Sequence, residues 1–212
     1  AMKFIRHLFL LVIAFTFSQT LYAAQPGSDV FYDIQKSGEL KVGVSILPPW
    51  VMRSKDGGLV GFEIDIAKQL AKDMGVKVKF KEYQWSKMIP ALIKGEIDII
   101  ASGLSITPKR ALEINYTEPY SSSGYSLVAN PCLTKDFNSI KNLNNEKVYI
   151  TAVEGTVSAD LAERVFPKAK LDLRKTEEDA TSAVVNGTVH AFVSSSPIPE
   201  FISLKHPEKV DL

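Results

Sequence analysis

Strand and helix signals alternate along this chain in two successive runs, and that alternation restricts its fold more than any other feature. In the first run, residues 40–45 read as an apolar strand. Residues 61–74 carry helical spacing, with Phe62, Ile66, Leu70 and Met74 four apart on one face and Ala67 and Ala71 beside them. Residues 76–80 alternate apolar and basic, as a strand with one buried face does. Ser86 can cap a helix running through Lys94, and Ile97, Ile99 and Ile100 make a short β-branched strand suited to burial on both faces. Residues 124–129 read as one more strand, after which Pro131, Thr134, Asp136 and Asn138 break the pattern. In the second run, strands at 147–153, 169–173 and 189–193 are separated by helices that follow Gly155-Thr156 and Thr176, and a further helix starts at Ser196-Pro197. Such alternation implies an α/β chain with two mainly parallel sheets. The break near Asn130 divides it into lobe I, residues 25–129, and lobe II, residues 130–212. Ligands bind beyond the carboxyl ends of strands in such sheets, and two lobes offering those ends to each other form a cleft.

The most informative local stretch is 95–120, GEIDIIASGLSITPKRALEINYTEPY. Past its strand, Thr107 is a good N-cap and Pro108 fits the first helical position, where a missing N–H costs nothing. Free backbone N–H groups, the hydroxyls of Ser102, Ser105 and Thr107 and the forked guanidinium of Arg110 gather at one strand end. That combination can hold an anion, most naturally a carboxylate. A capped turn whose arginine forms a surface ion pair explains the same residues equally well.

The N-terminus has its own character. Lys3, Arg6 and His7 precede the apolar run 8–17, and small residues Ala23 and Ala24 follow. This is the layout of a secretory signal peptide, residues 1–24, and the apolar run is well short of the ~20 residues needed to span a bilayer. Export to the periplasm is the expected destination. The single cysteine, Cys132, permits no internal disulfide and reads as an inert or partly buried thiol. A net charge of +1, with acids and bases interspersed, argues against a nucleic-acid surface. No phosphate loop, dinucleotide fingerprint or nucleophile elbow occurs, and neither His190 nor His206 has metal-ligand spacing, so no metal or other cofactor is expected.

Several motifs together resemble one family. They are Gly61-Phe62-Glu63-Ile64-Asp65-Ile66, Ile89-Pro90-Ala91-Leu92, Gly95-Glu96-Ile97-Asp98, Ser105-Ile106-Thr107-Pro108-Lys109-Arg110 and Thr117-Glu118-Pro119-Tyr120. In order and spacing they are similar to the periplasmic polar amino-acid-binding proteins of ABC importers, solute-binding protein family 3. The resemblance implies a two-lobed venus-flytrap of the type II periplasmic-binding-protein fold. It also implies binding of an amino acid or similar small carboxylate without turnover, and docking to a membrane permease. By motif, Arg110 would grip the ligand carboxylate, Ser105 would assist through its N–H, and Thr156 would approach from the second lobe. Ser102 and Gly103 would lie near the ligand amino group, with Trp85 and Trp50 as an apolar wall.

The chain departs from that pattern at definite positions. The acid that usually meets the ligand ammonium falls at Ser195, Val157 stands where a second hydroxyl is common, and Leu47 stands where an aromatic is usual. Glu154 is a candidate for the missing negative charge. Leu212 falls before the final strand and helix with which the family returns to its first lobe, so the resemblance implies a chain truncated at its C-terminus. Two other functions fit the scaffold. One is an enzyme resembling secreted cyclohexadienyl dehydratases, with Glu63, Glu154 or Glu118 as acid or base; the other is the ligand-sensing module of a larger receptor or lytic enzyme.

Overall fold

The structure, a computed structural model, describes residues 29–212; the expected signal peptide lies outside the described residues. The chain divides into two units, Ala1–Ser37 and Gly38–Leu212. In the first, Asp29 accepts the Phe31 N–H at 3.1 Å and opens helix α1, Val30–Ser37.

The second unit holds two sheets. Strands β1 (Glu39–Val44), β4 (Lys77–Glu82) and β5 (Ile99–Ile100) form the first, in the order β4-β1-β5, all parallel. A small antiparallel pair, β2 (Met52–Arg53) with β3 (Leu59–Val60), precedes helix α2, Phe62–Asp73. Helix α3, Met88–Ile93, links β4 to β5, and the short α4, Pro108–Ala111, follows β5. Pairing of β1 with both β4 and β5 aligns their carboxyl ends at one rim.

The second sheet has the order β6-β9-β7-β8. Its strands are β6 (Tyr125–Ala129), β7 (Tyr149–Val153), β8 (Lys170–Arg174) and β9 (Ala191–Ser195). Helices α5 (Pro131–Thr134), α6 (Val157–Val165), α7 (Glu177–Val185) and α8 (Ile198–Lys205) connect them. Strand β6 runs antiparallel to β9, and the other pairings are parallel. The sequence boundary after Ala129 is therefore corrected: residues 125–129 belong to the second lobe, and the crossing precedes Tyr125. A strand's apolar content indicates that it will pair, but not with which edge.

Three other expectations change. On α2 the buried residues are Glu63, Ile64, Ala67 and Ala71, while Phe62, Ile66 and Leu70 are exposed. Both stripes have helical spacing; the stripe containing two alanines is the one that is buried. Ser86 caps nothing: residues Trp85–Lys87 form a 3₁₀ turn, and α3 begins only at Met88. Pro90 thus sits in the first turn, where its missing N–H has no intrahelical role. Cys132 is exposed rather than partly buried.

The two lobes share one apolar cluster. Leu47, Trp85 and Met88 from the first lobe join Val128, Val153, Val184, Phe192, Ile198 and Ile202 from the second. Unlike Ser86, Thr107 and Thr176 do cap their helices, and Thr156 does so as well: their hydroxyls accept the N–H groups of Arg110, Asp179 and Ala159, respectively. The acids after Thr176 are not all solvated, however. Glu177 is buried, neither carboxyl oxygen has a partner, and burial pushes its pKa up to about 8 from an ordinary 4.5.

Two stability predictions follow from local geometry. Gly61 has φ 128°, and a Cβ there would lie 2.3 Å from the Trp50 carbonyl oxygen. Gly61→Ala should lower unfolding free energy by about 1–3 kcal/mol in urea denaturation. Between pH 4.5 and about 8 the folded chain keeps the Glu177 proton that the unfolded chain has released. Stability from this group therefore falls as pH rises through that window. Glu177→Gln should raise the melting temperature at pH 8, leave it unchanged below pH 4.5, and flatten the profile between.

Candidate functional site

The site is built where β1 and β5 end. Ser102, just past β5, is buried; its hydroxyl accepts the Ser45 N–H at 3.0 Å and donates to the Ser45 carbonyl at 3.2 Å. This pins the two strand ends together. The chain then turns at Gly103, whose φ of 65° is the left-handed region that glycine adopts without a Cβ penalty.

Glu63 reaches this turn from the start of α2. The close approach that Gly61 allows lets the Glu63 N–H donate to the Trp50 carbonyl at 3.2 Å. Its carboxylate accepts from the Gly103 N–H and from the Tyr120 hydroxyl, the latter at 2.7 Å. Glu63 is only 2% exposed; burial raises its pKa, and the two hydrogen bonds act in the opposite direction. Tyr120 is shifted far upward, by burial first and then by its bond to Glu63.

Arg110 lies beside this group. Its Nη1 donates to the Ser105 carbonyl at 2.9 Å and its Nη2 to the Gly155 carbonyl, in the second lobe, at 3.0 Å. The Trp85 indole N–H donates to the same Gly155 oxygen at 3.1 Å, and the Arg110 guanidinium carbon lies 5.8 Å from the Trp85 ring centroid. The Tyr116 hydroxyl donates to the Ser105 carbonyl at 3.2 Å. Burial raises the Tyr116 pKa, and the Arg110 charge opposes it.

Between the lobes opens a cavity of about 390 Å³. Its walls are Leu47, Trp50, Glu63, residues 103–106, residues 116–123, Tyr125 and Ser195. Two acids, Glu63 and Glu118, are the charged residues of this lining, and no Lys, Arg or His belongs to it. Tyrosine and tryptophan rings and a series of hydroxyls make up much of the rest.

Of the residues singled out in the sequence, Leu47, Trp50, Gly103, Ser105 and Ser195 line this cavity together. Ser102, Trp85, Arg110, Thr156 and Val157 are not among its lining residues. The Thr156 hydroxyl accepts from the Ala159 N–H at 3.2 Å and donates to the Val153 carbonyl at 2.7 Å, so it serves as the cap of α6. Val157 is the first residue of that helix. Glu154, weighed as the missing negative charge, is exposed and does not line the cavity. Cavity-lining residues that the sequence reading did not single out for the cavity are Glu63, Tyr116, Tyr120 and the serines 121–123. The Gly-Phe-Glu start of α2 was the available signal for Glu63, but helix-dipole charge explains an acid there equally well.

Comparison with known proteins adds three kinds of likeness. A family model for bacterial extracellular solute-binding proteins, family 3, matches residues 40–196. The glutamine-binding protein of Geobacillus stearothermophilus is 32% identical over 179 residues, which cover 81% of this chain and 66% of that relative. The chain thus spans just under two thirds of that curated relative, and less of others: 35% of the L-cystine-binding protein TcyJ of Escherichia coli K12, at 34% identity over 43% of this chain. Among solved structures, the ancestral amino acid-binding protein AncCDT-1, a precursor of cyclohexadienyl dehydratase, superposes with a TM-score of 0.77 at 34% identity. That match covers 82% of this chain and 77% of the other.

Proposed function

The chain belongs to the bacterial extracellular solute-binding proteins, family 3, and on that premise we propose that it is the exported substrate-binding component of an ABC importer. It holds an amino acid or related small carboxylate between its two lobes and releases it unchanged to a membrane permease. The leader-like residues 1–24 support export to the periplasm. Relatives whose names state a ligand include binding proteins for glutamine, cystine and arginine and one for octopine.

The observation that carries this reading is Arg110. One guanidinium reaches a carbonyl of each lobe, Ser105 and Gly155, at the margin of the cavity. A guanidinium has five N–H donors, so a ligand carboxylate can be added to these two bonds or can take their place. Charge-assisted bonds are about twice as strong as neutral ones, so a carboxylate competes well with a carbonyl. Ser105, exposed on the turn, offers its N–H to the same anion, and Trp50 and Leu47 supply apolar wall. A ligand that touches both lobes shifts the population toward the closed arrangement, which the Trp85–Gly155 bond and the shared apolar cluster already favour.

A dehydratase reading is favoured by one feature, the buried Glu63 carboxyl on the cavity wall, with its pKa raised, as a general acid requires. Binding without turnover predicts that prephenate and arogenate are recovered intact after incubation; formation of an aromatic product would establish the enzyme instead.

For the binding reading, a saturating amino acid should stabilise the full chain by about 2.7 kcal/mol at a hundredfold excess over Kd, seen as a rise in melting temperature. Arg110→Ala and Arg110→Lys should both lose the rise at that concentration. A mutant that binds as well as the wild type would remove Arg110 from the anchor role.

A further inference from the structure

We propose that the side chain of His190 is an acid-sensitive clasp of the second lobe: the neutral ring ties the starts of β7 and β9 together, and the protonated ring releases them. The site lies outside the cavity and does not depend on the binding function above. His190 stands just before β9 and meets Tyr149, the first residue of β7. Its backbone N–H donates to the Tyr149 carbonyl at 2.8 Å. Its own carbonyl accepts from the Asn130 N–H, just past β6, at 2.9 Å. The ring completes the set: Nδ1 accepts the Tyr149 N–H at 3.1 Å. The ends of three strands thus converge on one residue.

The ring bond decides the tautomer. A backbone N–H can only donate, so Nδ1 carries the lone pair and the proton of the neutral ring sits on Nε2. Protonation sets a second donor against the Tyr149 N–H and abolishes the bond. The surroundings oppose the charge as well. The Tyr149 ring stacks on the imidazole with centroids 6.4 Å apart, and Phe137 meets it edge-on at 6.2 Å. A tyrosine face attracts cations, but this ring already carries the Lys170 ammonium from β8, 5.0 Å from its centroid and 3.3 Å from its hydroxyl. Asp136 and Glu146, the acids nearest in sequence to Phe137 and Tyr149, are exposed. Among the described residues no carboxylate forms an ion pair with His190. Burial lowers the His190 pKa from an ordinary 6.5, the direction this geometry requires. The clasp's stabilisation is therefore whole above pH 6.5 and is lost as pH falls through the lowered folded value. Glu177 acts with the opposite sign, its effect weakening the fold as pH rises. A histidine of no consequence at a strand edge would account for the stacking, but not for a ring nitrogen that serves as acceptor for a β7 backbone N–H.

The test compares the full wild-type chain with His190→Asn, by NMR and by thermal melting, between about pH 7.5 and about pH 5. Asparagine keeps an acceptor near the place of Nδ1 and does not titrate in that range. In the wild type, the His190 ring should titrate below pH 6.5 from a neutral form whose nitrogen shifts show the proton on Nε2. Hydrogen exchange of the Tyr149 amide, corrected for its intrinsic rate, should speed up as the ring protonates. The variant should lose less melting temperature on acidification than the wild type, and its Tyr149 exchange should not change across the range. That difference isolates His190, because Glu177 and His206 are present in both chains. Equal losses of melting temperature in the two chains overturn the proposal. So does a His190 that titrates at or above pH 6.5 or holds its neutral proton on Nδ1. The ring titration and the amide exchange are read on the wild type alone, so they decide the matter if the variant does not fold.

Discussion

Two side-chain donors of the first lobe converge on one backbone oxygen of the second, over a shared apolar cluster. The Gly155 carbonyl, at the turn between β7 and α6, accepts from the Arg110 guanidinium and from the Trp85 indole. Both donors belong to the first lobe, and both are buried. Behind them, the apolar cluster runs unbroken from Leu47 and Met88 into Val153 and Phe192. A buried guanidinium costs free energy unless its donors are engaged, so the contact holds only while the lobes stay together. That coupling ties the Arg110 guanidinium to the arrangement of the two lobes.

The cavity is a consequence of how strand ends are tied. Ser102 fastens β5 to β1, Gly103 turns the chain, and Glu63 holds the turn from the neighbouring helix. Gly61 is what permits that helix to start so close to the Trp50 carbonyl. The same few residues thus shape the wall and give it its charge.

Much of this was readable from residue types. The Thr107-Pro108 helix start and the α/β alternation follow from local chemistry, and the Thr107 cap forms as read, whereas that of Ser86 does not. Sequence reasoning failed where the answer depended on a distant partner. Residues 125–129 look like any strand, and only the open edge of β9 assigns them to the second lobe. Helix α2 carries two stripes of helical spacing, and the stripe of small residues, not that of Phe62, Ile66 and Leu70, is buried. Thr156 is both a cap and a family ligand position, and its hydroxyl is engaged in the cap. Glu63 was the hardest to read, since an acid at a helix start is ordinary and its burial comes from Trp50, Gly103 and Tyr120, each distant in sequence or on another element.

The most direct measurement is a crystal structure of the chain with a bound amino acid. The account predicts the ligand between the lobes, with its carboxylate oxygens about 2.7–2.9 Å from the Arg110 guanidinium nitrogens. A ligand seated in the cavity with its carboxylate turned away from Arg110 would contradict it.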